Sequence, residues 1–132
     1  MLISALAKRV GTTTRALRHY ESLGLLGARR TSNGYREYDE ADVAVVQEIR
    51  TLVGIGFALE ETRPFVECLR AGYATGDSCS ASVAVYRRKI AEIDDCMASL
   101  SVVRSRLTAA VAGGSLTDVA APEPLCAFTP LR

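Results

Sequence analysis

A mainly α-helical fold is what this sequence predicts: short helices around a hairpin at the N-terminal end, then one long helix that pairs with a second copy of the chain. Three features of the 132 residues carry that prediction. Apolar residues in the first segment recur at helical spacing and stop at a glycine. The dipeptide Asn33-Gly34 then interrupts the helical pattern with a two-residue hairpin signal. From Cys79 to Ala112 neither glycine nor proline occurs, and apolar residues follow a 4,3 repeat.

The first helix is expected where Ile3, Leu6, Ala7 and Val10 share one face, with Gly11 ending it. A second begins at Thr12 or Thr13, whose hydroxyl can cap free backbone N–H groups, and runs to about Leu23, before Gly24. Two short helices joined by a glycine-containing turn make a helix-turn-helix. Leu17 faces inward, while Thr13, Thr14, Arg15, Arg18 and His19 offer donors suited to a major groove. The competing reading pairs Arg18 with Glu21 on a solvated face. Arg29, Arg30, Tyr35, Arg36 and Tyr38 flank the hairpin, which reads as a wing able to hold phosphates.

Asp39, with Asp42 three residues on, caps a third helix bearing Val43, Val46, Ile49 and Val53. "GIGF" breaks it, and a fourth helix is expected from Leu59 to Arg70, kinked or restarted by Pro64. "AGYATGDS" is a loop. In the long helix, Cys79, Val83, Tyr86, Ile90, Ile93, Met97, Leu100, Arg104, Leu107 and Val111 form a seam with one polar member. So small a neighbouring domain cannot bury that stripe, which favours a homodimer over packing within the chain. The expected division is residues 1–75 for DNA binding, 76–112 for dimerisation and 113–132 as a short effector segment or tail.

Charge supports a polyanionic partner for the N-terminal end. Residues 1–38 hold seven Lys/Arg and two acids, a balance of +5, and the whole chain is only +1, so the remainder is −4. Hydrophobic residues at 48% and charged ones at 23% describe a folded domain. The chain lacks a run of the roughly 18 apolar residues that a membrane span needs, and its N-terminus lacks a secretion signal, so a cytoplasmic location without membrane contact is expected. Cys68, Cys79, Cys96 and Cys126 show no zinc-finger spacing and are expected as thiols there. One histidine, no paired carboxylates and no phosphate loop give no ground for an enzyme.

The order of elements resembles the MerR family of bacterial transcription regulators. The resemblance covers about residues 1–112 and rests on "ISALAKRVGTTTRALRHYESLGLL", "RRTSNGYREYDEADV" and "LVGIGFALEE". It implies a winged helix-turn-helix domain and a long dimerisation helix that forms an antiparallel coiled coil in the homodimer. It further implies binding to double-stranded promoter DNA, distortion of that DNA on a signal, and engagement of RNA polymerase. Carried onto this chain, Thr13, Thr14 and Arg15 face the groove, Arg18 and Tyr20 support or contact the backbone, and Tyr35 and Arg36 hold phosphates. His19 stands where tyrosine is frequent, and Ala58 where a capping serine is common.

Short members of the family often sense metal ions or thiol oxidation, which the resemblance implies as the kind of signal here. Cys79 matches a metal-binding position at the start of the long helix, whereas Cys126 is alone where two cysteines are typical. Two thiolates, Cys79 of one chain and Cys126 of the other, suit a soft ion such as Cu(I), Ag(I) or Hg(II), with Asp77, Cys68 or Cys96 as a further donor. The alternatives are a thiol-redox response, an apolar ligand in the dimer groove, or a DNA-architectural protein with no effector. Cysteines that only pack are the simplest alternative of all.

Overall fold

The computed structural model describes residues 1–27 and 29–113. Helix α1 (Ile3–Val10) buries Leu6, Ala7 and Val10 and ends at Gly11, whose φ of 73° turns the chain back. Helix α2 (Thr14–Ser22) buries Leu17 and Tyr20. Thr13 precedes it in extended conformation, and its hydroxyl accepts the Ala16 N–H at 3.1 Å.

The hairpin forms with a different turn from the one expected. Strands β1 (Arg29–Arg30) and β2 (Arg36–Glu37) pair antiparallel, Arg29 opposite Glu37 and Arg30 opposite Arg36. A two-residue Asn-Gly turn of type I′ would need positive φ at both residues, but Gly34 alone has it, at 82°. Instead the Gly34 N–H donates to the Thr31 carbonyl at 2.9 Å, and the Thr31 N–H donates to the Tyr35 carbonyl at 2.7 Å. Gly34 thus closes a longer loop of the kind in which a turn is followed by one left-handed residue.

Helix α3 (Glu40–Gly54) starts with the expected capping box. Asp39 accepts the Asp42 N–H at 3.1 Å while Asp42 accepts the Asp39 N–H at 2.9 Å. Its inner face, Val43, Val46 and Ile49, meets Leu6, Leu17, Leu25 and Tyr38 in the main core. Leu59–Thr62 then forms a short 3₁₀ turn before helix α4 (Arg63–Arg70). Pro64 therefore restarts the chain as a new helix and does not kink an existing one. In the first helical turn its missing N–H has no partner to lose.

Helix α5 (Ser80–Val111) has 32 residues, about 48 Å at the usual rise. Its beginning is fixed to the rest by an aromatic cluster: Tyr86 lies 5.0 Å from the Phe65 ring and 6.1 Å from Phe57, and those two are 6.0 Å apart. One turn later Lys89 is 7% exposed. Its ammonium lies 5.2 Å above the Phe57 ring and donates to Glu61 at 2.9 Å and Glu92 at 2.7 Å. Burial works against both charges. It would lower Lys89, but the two carboxylates raise its pKa overall; it would raise Glu61, but the Ala58 N–H and Lys89 lower it.

The predicted seam divides. Tyr86 is used within the chain, while Val83, Ile90, Met97, Leu100, Leu107 and Val111 remain exposed. Among the described residues, no helix is long and apolar enough to cross a membrane.

Removing Lys89 leaves Glu61 without its buried cation, so Lys89→Ala should cost about 3 kcal/mol in urea unfolding. The contribution has a pH window. The lowered Glu61 contributes fully above about pH 4.3 and is lost as acid titrates its folded form; the raised Lys89 contributes fully below about pH 10.4 and is lost above its folded value. The gap between wild type and Lys89→Ala should therefore be widest between those limits and narrow outside them.

Candidate nucleic-acid interface

Helical spacing brings Arg15, Arg18 and His19 to the exposed side of α2, opposite buried Leu17 and Tyr20. Thr14 opens the helix, and Thr13 is occupied as its cap. The wing adds Arg30, Tyr35 and Arg36, with Tyr35 65% exposed. Arg18 and Arg36 line both of two adjoining grooves. One includes Ser22 and Leu26; the other includes Ser4, Arg30 and Tyr35. The helix and the wing thus form one continuous surface.

The surface is held in shape from behind. Glu21, near the end of α2, accepts the Tyr38 hydroxyl and forms an ion pair with Arg36 at 2.8 Å. Its side chain is 11% exposed, so both partners matter to a carboxylate mostly removed from water. Burial, then the hydrogen bond and charge of Glu21, push the Tyr38 phenol far above its ordinary pKa. Glu21 therefore reaches across to the wing and does not pair with Arg18, contrary to the local pairing that sequence spacing allowed.

Charge neutralisation separates the arginines into two sets. Arg9 pairs with Glu40 and Arg29 with Asp39 at the entrance to α3. The Arg29 side chain holds the Asp39 carboxyl below its usual range. Among the described residues, Arg15, Arg18 and Arg30 form no ion pair. These three are the cations on this surface still available to an anionic partner.

Tyr20 belongs to the core: it is 8% exposed, and burial raises its phenol pKa while Arg50 opposes the rise. Its part is support. Three arginines outside the basic segment also support the site: Arg50 donates to the Val10 carbonyl, Arg63 to Leu23 and Arg70 to Leu25. They satisfy carbonyls where α1 and α2 end. Their sequence positions carry no local signal, because each contact spans at least 40 residues.

The cysteines depart from the expected pairing. Cys79 is the N-cap residue of α5, but its sulfur is bonded to Cys68 of α4. A sulfur in that bond offers no thiolate to a metal ion, and Cys126 lies outside the described residues. Cys96 is buried, with 7% exposure. Among the described residues, no group of three or more His, Cys, Asp and Glu side chains is placed to hold a metal ion.

A model of the MerR HTH family regulatory proteins matches residues 1–67. The chain belongs to this family. It is 34% identical to the HTH-type transcriptional regulator HmrR of Rhizobium leguminosarum bv. viciae, over 81% of each chain. It is also 34% identical to the HTH-type transcriptional regulator CueR of Escherichia coli O6:H1, over 83% of this chain and 79% of the other. The nodulation protein NolA of Bradyrhizobium elkanii is 33% identical over 86% of this chain, which spans 48% of that longer protein. Among solved structures, HiNmlR, a MerR family regulator lacking the sensor domain and bound to promoter DNA, superposes with a TM-score of 0.54. It is 21% identical, over 85% of this chain and 83% of that one. A MerR family regulator from Listeria monocytogenes gives 0.57 at 18% identity, over 84% and 83% of the two chains. At these identities the likeness shows the fold: a mainly helical chain with a two-stranded wing and a long C-terminal helix. This MerR-family transcriptional regulator carries its DNA-binding domain in the matched segment.

The Tyr38 phenol should stay neutral well above pH ~10, where free tyrosine ionises. A late step in tyrosinate absorbance on alkaline titration should disappear in Tyr38→Phe, which should also lose about 1 kcal/mol of stability. A curve unchanged by the substitution would place the Tyr38 hydroxyl in water.

Proposed function

We propose that the chain acts as a sequence-specific regulator whose homodimer distorts promoter DNA and so controls access of RNA polymerase. The observation that carries this reading is the row of arginines without ion-pair partners, Arg15 and Arg18 on α2 and Arg30 on the wing, on one continuous surface with Tyr35 and Arg36. Arg15 reads base edges in the major groove, and Thr14 and His19 lie beside it. Arg18 and Arg30 hold phosphates and fix the register of the helix, while Tyr35 and the Glu21-paired Arg36 shape the wing beside them.

The homodimer is supported by α5. Ile90 and Met97, seven residues apart, are 56% and 63% exposed, and Leu100 and Leu107 repeat the pattern at 52% each. A helix that leaves such a stripe in water is short of a partner, and a second copy supplies a complementary one in antiparallel arrangement. Two copies then present two arginine surfaces, matching a pseudo-palindromic site. Energy stored in the bent or untwisted duplex is the means of control. A soft-metal signal at Cys79 and Cys126 finds no support among the described residues, where Cys79 is bonded to Cys68.

Selection from random duplexes tests the reading, with recovery of a two-fold symmetric sequence as the expected result. A pool bound without sequence preference would favour an architectural DNA-binding protein. On the selected duplex, Arg15→Ala should lose roughly 10- to 100-fold in affinity and relax preference at one base pair per half-site. Arg30→Ala on the wing should weaken selected and random duplexes alike and reduce the salt dependence by about one counterion per protomer. Equal effects of the two substitutions would reject these separate roles for helix and wing.

The double substitution Ile90→Asp with Ile93→Asp should give monomers in light scattering and weak, half-site DNA binding. A dimer that survives it would move the interface away from this stripe.

A further inference from the structure

Among the described residues, Cys68 and Cys79 form a chemically reactive pair that lies outside the arginine surface. Cys68 and Cys79 are joined across 11 residues of sequence with their Cα atoms 6.0 Å apart. Cys68 is 2% exposed within α4, while Cys79 is half-buried at the N-cap of α5. We propose that these two cysteines form a reversible thiol–disulfide site that takes a small-molecule disulfide as its oxidant, and that its two states set how α5 departs from the DNA-binding part of the chain. The second half rests on the DNA-binding reading above; the first does not.

The two sulfurs differ in the way such a site requires. Cys79 is accessible to a small reagent, and its side chain makes no capping hydrogen bond. The free N–H groups of the first turn of α5 favour an anionic sulfur beside them. Cys68 is covered, and so suits the second step, in which the attacking thiol comes from within the protein. In the forward direction the Cys79 thiolate attacks one sulfur of the reagent, forming a mixed disulfide and releasing one reagent thiolate. The Cys68 thiolate then attacks the Cys79 sulfur, forming the Cys68–Cys79 bond and releasing the second. The two protons lost by the cysteines go to the two released thiolates. The protein gives up two electrons, and the reagent disulfide is reduced by the same two.

Reduction leaves the joint folded, because the surrounding contacts do not need the bond. Gly76 is buried against α3 and α4 so closely that a Cβ there would lie 2.9 Å from Glu48 Oε1 and 3.1 Å from Phe65 Cβ. The Ser82 hydroxyl donates to the Gly76 carbonyl at 2.5 Å, and Thr75 bonds Asp77 and Ser78 at 2.7 Å each. The aromatic cluster at Tyr86 also holds α5 in place. What reduction releases is the tie between the end of α4 and the first residue before α5. In a dimer joined along α5, that tie bears on the separation of the two arginine surfaces.

The test equilibrates the full-length chain in glutathione buffers from fully reduced to fully oxidised, then blocks thiols by alkylation and maps the peptides by mass. A Cys68–Cys79 bond that opens and closes within that range is expected, and a bond that stays closed in reduced glutathione would overturn the site as a structural clip. In parallel, the oxidised and reduced wild-type chains are titrated with the selected duplex. Affinities differing at least about fivefold are expected, and Cys68→Ser and Cys79→Ser should each bind with one affinity in both buffers. Wild-type affinities equal within about twofold would overturn the regulatory half, whether or not the serine variants fold. If selection yields no preferred duplex, the DNA-binding reading and the regulatory half fall together, while the alkylation result still decides the chemistry of the pair.

Discussion

Helices of eight and nine residues, the lengths of α1 and α2, are too short to persist alone in water. Their existence depends on a shared apolar face, formed by Val43, Val46 and Ile49 of α3 meeting Leu6, Val10 and Leu17. The exposed arginine surface follows from that burial. Turning Leu17 inward puts Arg15 and Arg18 outward, and three distant arginines anchor the carbonyls where the short helices end. The arginine surface is thus the outer side of a core that cannot rotate without exposing its leucines.

A second layer of order comes from charge. Glu21 is too enclosed to be comfortable alone, and it draws together Tyr38 at the base of the wing and Arg36 on its second strand. One carboxylate thereby couples the position of the wing to that of α2. The opposite arrangement appears at the joint with α5, where buried Lys89 is the cation and Glu61 and Glu92 are the acids. In both places a long side chain from one element is fixed by an enclosed group from another.

Local sequence carries the helices well because their limits are set by local chemistry: the hydroxyl of Thr13, the reciprocal Asp39–Asp42 box, and the left-handed glycines at 11 and 24. The placement of Arg15 and Leu17 on opposite sides follows from helical period alone. Tertiary pairings were not legible. Glu21 had Arg18 three residues away as an apparent partner, yet geometry gave it Arg36. Cys79 had a plausible distant partner in sequence, while the fold brought Cys68 beside it through the turn after α4. The seam of α5 mixed two roles, since Tyr86 packs within the chain and Ile90, four residues on, faces water. A repeat in sequence shows which residues share a face, but not where the neighbour covering that face comes to an end.

The proportions of α5 have a mechanical consequence. The helix meets the rest of the described residues near one end, between Tyr86 and Lys89, and some 22 further residues carry it on to Val111, roughly 33 Å away. A tilt of about 5° there would sweep the far end through about 3 Å, comparable with the rise of one base pair. Side-chain rearrangements at the aromatic cluster that would be negligible in a compact domain are thereby geared up to the scale on which a double helix is measured.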